Sequence, residues 1–157
     1  MRRFKQALTE LECINILENA TSGVLSLISS GFPYGVPLNF IYLNNSIYFH
    51  SAKVGKKIEA IKENPNASFT VIYQDEIVPL KLTSYFRSVI VFGKAKILTD
   101  ETKIKDIMLK LGRKYAPNLD EERIESEINK AQNHFSVFKL EILKMTGKQA
   151  IELVNKV

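Results

Sequence analysis

Cysteine is nearly absent from this chain: Cys13 stands alone among 157 residues. A single thiol excludes an internal disulfide framework. Histidine is almost as scarce, with only His50 and His134, so a structural zinc site lacks the nitrogen and sulfur ligands it needs. The five prolines and seven glycines sit singly, at turn positions. No linker, low-complexity tract or internal repeat separates one part of the chain from another, and one domain over residues 1–157 is expected. Apolar runs such as Ser88–Phe92 are far too short for a bilayer span. The start Met1-Arg2-Arg3-Phe4 is positively charged but has no apolar stretch behind it. No signal peptide is therefore expected, and a cytoplasmic location follows.

Several catalytic motifs are missing as well. No Gly-x-Gly-x-x-Gly follows a strand candidate, and Gly147-Lys148 is followed by Gln149 without the upstream glycine of a nucleotide-binding loop. There is no Gly-x-Ser-x-Gly elbow. Asp120-Glu121-Glu122 falls where a helix opens, a place that suits acidic residues on dipole grounds alone. Hydrolase and zinc-enzyme chemistries thereby lose their footing.

What is present is an ordinary globular composition, 45% hydrophobic and 25% charged, with a net charge of +5 and a pI near 9.2. The excess favours an anionic partner. Lysines run from Lys5 to Lys156 with glutamates interleaved, not in the concentrated stripe that nucleic-acid binding prefers. A phosphorylated cofactor and plain lysine-rich solubility both remain compatible with the balance.

The hydrophobic pattern predicts a helix opening at Thr9, where Thr9-Glu10-Leu11-Glu12 has capping-box form, and ending by Gly23. Val24–Ile28 reads as a strand buried on more than one side, and Gly35–Leu43 as a second strand. Asn44-Asn45 forms a hairpin turn, and Ser46–His50 a third strand. Gly55–Glu63 is a short helix stopped by Asn64-Pro65, and Ala67–Tyr73 is a strand. Gln74–Thr83 reads as an irregular surface excursion. Phe86–Leu98 is a long strand with Gly93 as a bulge. Glu101–Tyr115 and Asp120–Gln132 are helices divided by Pro117, and Phe135–Leu143 is the last strand. Without βαβ alternation, a mainly β fold follows, an antiparallel barrel with attached helices. Cys13 falls in the first helix, as a small packed hydrophobe.

Three stretches could carry chemistry. In Tyr48-Phe49-His50-Ser51-Ala52-Lys53-Val54-Gly55-Lys56-Lys57-Ile58 a strand ends and a helix begins. Free N–H groups, the Ser51 hydroxyl, Gly55 and the charges of Lys56 and Lys57 would make a phosphate cradle. On spacing alone, a capped helix with a solvated lysine face is the reading favoured over the cradle. His50 is either an ordinary strand-end residue or one facing a bound ring. In Val36-Pro37-Leu38-Asn39-Phe40 a proline interrupts a strand. That frees backbone groups for a heteroaromatic edge, or simply bends the strand round a barrel corner. In Tyr85 to Ala95 only Arg87-Ser88 offers polar chemistry.

Taken in this order, Val36–Phe40, Ile47–Ser51 with Gly55-Lys56-Lys57 and Asn64-Pro65, and Arg87-Ser88-Val89 through Gly93-Lys94-Ala95 resemble the pyridoxamine-phosphate-oxidase-like flavin proteins. The branch most similar is the nitroimidazole-reductase one, and the likeness runs from about Arg2 to Gly147. The resemblance implies an antiparallel split β-barrel, a homodimer, and FMN in clefts between subunits. By position, Ser51, Lys56 and Lys57 would hold the phosphate, and Pro37, Leu38, Asn39 and Phe40 would line the isoalloxazine. His50 would stand beside the flavin as the candidate catalytic residue. Ser88 and Val89 would reach the cofactor from the other subunit, with Thr146-Gly147-Lys148 near the site. The implied activity is reduction of a small acceptor, nitroaromatic among them, at the expense of reduced nicotinamide. The tail from Gln149 to Val157 has none of the arginines that pyridoxamine-phosphate oxidases use for substrate, so pyridoxamine oxidation is not expected. Related split barrels also bind haem or a deazaflavin; for a haem, His50 or His134 would be the axial candidate. A flavin carrier without turnover is the non-enzymatic alternative.

Overall fold

A computed structural model describes residues 4–154; the charged start Met1-Arg2-Arg3 lies outside the described residues. In chain order the elements are β1 (Ala7–Leu8), α1 (Glu10–Asn19), β2 (Ser22–Ser29), β3 (Phe32–Asn39), β4 (Ile41–Leu43) and β5 (Ser46–Ala52). Then follow α2 (Lys56–Glu63), β6 (Asn66–Val78), β7 (Thr83–Ile97), α3 (Glu101–Tyr115), α4 (Glu121–Ala131) and β8 (Phe135–Gln149).

Local chemistry accounts for most boundaries. The Thr9–Glu12 capping box forms in both directions, with the Thr9 N–H donating to the Glu12 carboxylate at 2.6 Å and the Glu12 N–H to Thr9 Oγ1 at 3.3 Å. Asn44 and Asn45 adopt φ of 47° and 57°, the left-handed pair that a two-residue hairpin requires.

Four expectations need correction. Helix α1 ends at Asn19, not at Gly23. Gly23 lies in β2 opposite Leu38, where a Cβ would run into the Phe69 ring. Strand β2 buries one face only: Leu25 and Leu27 are inside, Val24 and Ile28 outside. Gln74–Thr83 is not irregular throughout. Strands β6 and β7 stay paired to Val78↔Thr83, closing through the short turn Pro79–Lys81, after a register slip between Ile72 and Gln74. The last strand continues past Leu143 to Gln149, pairing Gly147 with Val89. The polar Gln74–Glu76 and Thr146–Lys148 look like loops in composition, but both lie where one strand face is open to water, and alternation there requires polar residues. The bulge expected at Gly93 is present, between Phe92 and Gly93.

The eight strands among the described residues form one antiparallel sheet, in the order β3-β2-β6-β7-β8-β5-β4 with β1 on β8. Its two edge strands, β3 and β4, are consecutive in the chain and meet at Phe40. The sheet therefore curls until its ends are joined by a single bent segment rather than by hydrogen bonds. Inside the curl, Phe40, Phe69, Phe49 and Phe138 stack edge-to-face and face-to-face at centroid distances of 4.8, 5.1 and 4.9 Å. Helix α3 covers the outer face of β5 and β8 through Ile107 and Leu111 against Tyr48 and Val137. No helix among the described residues is long and apolar enough to cross a membrane.

Candidate functional site

The break at Phe40 makes a cleft. Strand β4 pairs with β5 as far as Ile41↔Tyr48. Two further rungs would set Phe40 against Phe49 and Asn39 against His50, but β3 has already turned away to pair Asn39 with Ser22 and Pro37 with Val24. Among the described residues no ladder joins Pro37–Asn39 to His50–Ala52. Proline has no N–H to give β2, so Pro33 and Pro37 occupy the edge-facing phase of β3. Alternation puts Gly35 and Asn39 in the same phase. The free edge thus offers the N–H groups of Gly35 and Asn39 and the carbonyls of Gly35, Pro37 and Asn39. Along β5, Ile47, Phe49 and Ser51 point inward, whereas His50 is exposed on the outer face beside its partner Val137.

Helix α2 begins at the bottom of this cleft. Its N-cap, Gly55, has φ 125° and no side-chain cap, a conformation open to glycine. Gly55 O accepts from the N–H groups of Ile58 and Glu59, which leaves those of Lys56 and Lys57 without intrahelical partners. A Cβ on Gly55 would meet nothing within 4 Å beyond its chain neighbours, so the space beside the cap is clear. Lys56 Nζ lies 4.7 Å over the Tyr34 ring of β3, which ties the helix start to the opposite wall. Lys57 is half-buried, and burial draws its pKa below the ordinary lysine value. The same surroundings, and secondly the Lys57 ammonium, lower the His50 pKa below 6.5. Although the residue reaches solvent, its ring is partly desolvated, and the lowered pKa favours the neutral imidazole, which donates from one nitrogen and accepts at the other.

The structure gathers some of the sequence-predicted residues and separates others. Asn39, Pro37, His50, Lys56 and Lys57 border the cleft. Ser51 is buried and its hydroxyl already donates to the Ala52 carbonyl at 2.9 Å. Leu38 packs against the core, and Phe40 and Val89 are wholly buried in it. Their side chains therefore face away from the cleft, since strand alternation sends successive residues to opposite faces. Ser88 lies on the outer face of β7 between Ile72 and Lys148, beyond its own chain's cleft. Thr146 and Lys148 share that outer face, opposite Ile90 and Ser88. His134 is exposed just before β8. A groove of about 1000 Å³ lies elsewhere, between α3, α4 and the start of β8; none of these residues lines it.

Two residues at this site escape sequence reading. Tyr115, the last residue of α3, accepts the Phe40 N–H at 2.9 Å, with its hydroxyl 2.8 Å from Phe40 O and 2.6 Å from Thr21 O. Lys114 Nζ donates to Ala20 O at 2.7 Å and Phe40 O at 3.1 Å, 4.4 Å above the Phe40 ring. Burial lowers the pKa of Lys114 and raises that of Tyr115. Their partners lie about 75 and 94 residues away in sequence, so no local pattern announces them.

A sheet curled on itself, left open at a strand break and lined there by a helix N-terminus, defines a split β-barrel. The chain belongs to the pyridoxamine 5'-phosphate oxidase family, whose model matches residues 9–149. Among solved structures it is similar to a candidate 5-nitroimidazole antibiotic resistance protein from Bacteroides thetaiotaomicron, at 23% identity and TM-score 0.74, covering 91% of this chain and 86% of that one. A FAD-binding protein from Mesorhizobium loti shares 26% identity at TM-score 0.64, with 92% and 97% covered. A FAD- and heme-binding protein from Mycobacterium smegmatis shares 17% identity at TM-score 0.75, with 93% and 73% covered. No curated protein matches the chain significantly in sequence.

Proposed function

We propose that this chain binds FMN in the cleft between β3 and β5 and acts as a reductase of small acceptors, in the manner of the nitroimidazole-reductase branch. The observation that carries the reading is the start of α2. Two lysines and two unpartnered N–H groups converge on an open glycine cap, one strand end away from a free β-edge. That donor set suits a phosphate, since an anion at a helix N-terminus gains both from the dipole and from the N–H groups. Lys56, Lys57 and their N–H groups hold it, and Ser51 joins them if its hydroxyl hydrogen turns from the Ala52 carbonyl. The edge groups of Gly35, Pro37 and Asn39 match the alternating donors and acceptors of a flavin's pyrimidine rim. A bound flavin supplies the electron-transfer chemistry, and the protein supplies position and electrostatics. His50, beside the cleft with its pKa lowered by partial desolvation, is placed to polarise an acceptor or to pass it a proton.

The reading includes a homodimer. Val24, Ile28, Ile72, Ile90 and Phe92 are exposed on the outer face of β2, β6 and β7, and the β6–β7 arm ends in Leu80 and Leu82, 100% and 96% exposed. Apolar surface of that kind marks an interaction site. A second copy on this face would bring Ser88 towards the partner's cleft, which its own chain's geometry does not allow.

The visible spectrum of the purified protein, with release and identification of any chromophore, tests the reading. Flavin absorption and bleaching by reduced nicotinamide are expected. A colourless protein that takes up no added FMN ends the proposal. Flavin that nicotinamide leaves oxidised reduces it to a carrier, and a Soret band transfers the chain to the haem-binding relatives.

A further inference from the structure

The β2–β3 ladder runs regularly from Ser29↔Phe32 to Ser22↔Asn39, and its next rung would pair Thr21 with Phe40. That rung is absent as a strand pair and is made instead by side chains of α3. The Tyr115 hydroxyl sits between the two strands, accepting from Phe40 N and donating to Thr21 O or Phe40 O, and Lys114 Nζ bridges Ala20 O and Phe40 O. Asn39 Nδ2 donates to the same Thr21 carbonyl, at 2.9 Å. Both hydrogen-bonding groups of Phe40 are consequently satisfied by one helix end. A buried backbone N–H or C=O left unpaired here would be costly, so the strands would close on each other if the helix end were removed.

We infer that Lys114 and Tyr115 are positioning residues that anchor Phe40, where β3 leaves for β4, and so set the reach of the free edge of β3, residues 35–39, towards a ligand's ring. A phenol hydroxyl inserted into a ladder spaces the strands wider than a direct N–H···O=C bond. The ammonium above the Phe40 ring fixes the direction in which the chain leaves for β4. Neither side chain faces the α2 lysines, so their effect falls on the ring end of the cleft and not on the phosphate end. The inference deepens the flavin reading and rests on it.

Tyr115→Phe, Lys114→Arg and Lys114→Met, with the double variant Lys56→Ala/Lys57→Ala as reference, are each stripped of flavin and titrated with FMN and with riboflavin. The visible circular dichroism of the bound flavin is recorded at saturation. Tyr115→Phe and Lys114→Met should weaken FMN and riboflavin by the same factor, about tenfold, and change the dichroism of the bound ring. Lys114→Arg, which keeps a cationic donor for Ala20 and Phe40, should recover most of the affinity and the wild-type dichroism. If Tyr115→Phe does not fold, the Lys114→Arg and Lys114→Met pair carries the same comparison. Unchanged affinity and dichroism in Tyr115→Phe and Lys114→Met would overturn the inference, as would a loss confined to FMN. Should the wild type bind neither flavin, the parent reading has failed, whatever the variants do.

Discussion

Removing the two cradle lysines separates the phosphate from the ring in a single experiment. Lys56→Ala/Lys57→Ala deletes both charges but leaves the open Gly55 cap and the helix N–H groups in place. A hydrogen bond to a charged group is worth about 1.5–3 kcal/mol. Lys56 is exposed, with its ammonium also over Tyr34, and belongs at the low end. Half-buried Lys57, whose charge already suffers from burial, belongs nearer the top because a poorly hydrated ammonium gains more from a phosphate. Together they amount to roughly 3–5 kcal/mol, a loss of about two to four orders of magnitude in FMN affinity. Riboflavin has no phosphate and should change by no more than about threefold. Quenching of isoalloxazine fluorescence on titrating the flavin-free protein reads both constants. Raising the salt to about 1 M shortens the screening length to about 3 Å, which should erase the Lys56 share before the Lys57 share. Equal losses for the two flavins, or no loss for either, would refute the phosphate assignment.

Other outcomes can be stated more briefly. His50 should titrate below 6.5 by NMR, and Lys57→Ala should raise its midpoint without restoring the ordinary value, because burial is the larger cause. The unfolded chain then binds the proton first as pH falls beneath about 6.5, so stability is level above that point and declines below it. Urea unfolding from neutral pH to about 5 should show that slope, and His50→Gln should flatten it. At Gly93→Ala the new Cβ would fall on the Glu141 carbonyl oxygen, costing about 3 kcal/mol or more in urea unfolding; a variant as stable as wild type would contradict the bulge geometry. Ile90→Asp with Phe92→Asp should turn a dimer into a monomer by light scattering and weaken FMN with it. A wild type already monomeric would remove the second copy from the site.

Much of this architecture is legible from local chemistry, and the exceptions share one cause. Thr9 with Glu12, the Asn44-Asn45 turn and α2 are each determined by residues within a few positions, and the glycine at 93 marks the bulge although its partner strand lies far along the chain. The strand break and the helix start that border the cleft are legible too, through Pro37 and the Gly55-Lys56-Lys57 cap. What composition conceals is set by partners far along the chain. Thr146–Lys148 has loop residues, yet β7 on one side makes it strand. Phe40 and Val89 lie in motif positions, yet the curl of the sheet turns their side chains inward. Lys114 and Tyr115 look like an ordinary basic helix end, and only the closing of the barrel carries them to Phe40.

The place of β8 in the sheet bears on how the chain acquires its shape. Strand β8 is the last of the described strands but lies between β7 and β5, among the described residues the only hydrogen-bonded seam between the β3-β2-β6-β7 ribbon and the β5-β4 hairpin. While the chain is being made, those two pieces can form early from neighbouring segments, but nothing zips them together until residues 135–149 have emerged. Their inner faces, carrying Phe49 on one side and Phe69 on the other, stay open to water for that interval. Pairings of such long sequence separation are slow to find, and exposed strand edges invite mispairing meanwhile. Closure is therefore a late event of synthesis, and a nascent chain stopped ahead of Phe135 would be a target for chaperones rather than a barrel with one strand missing.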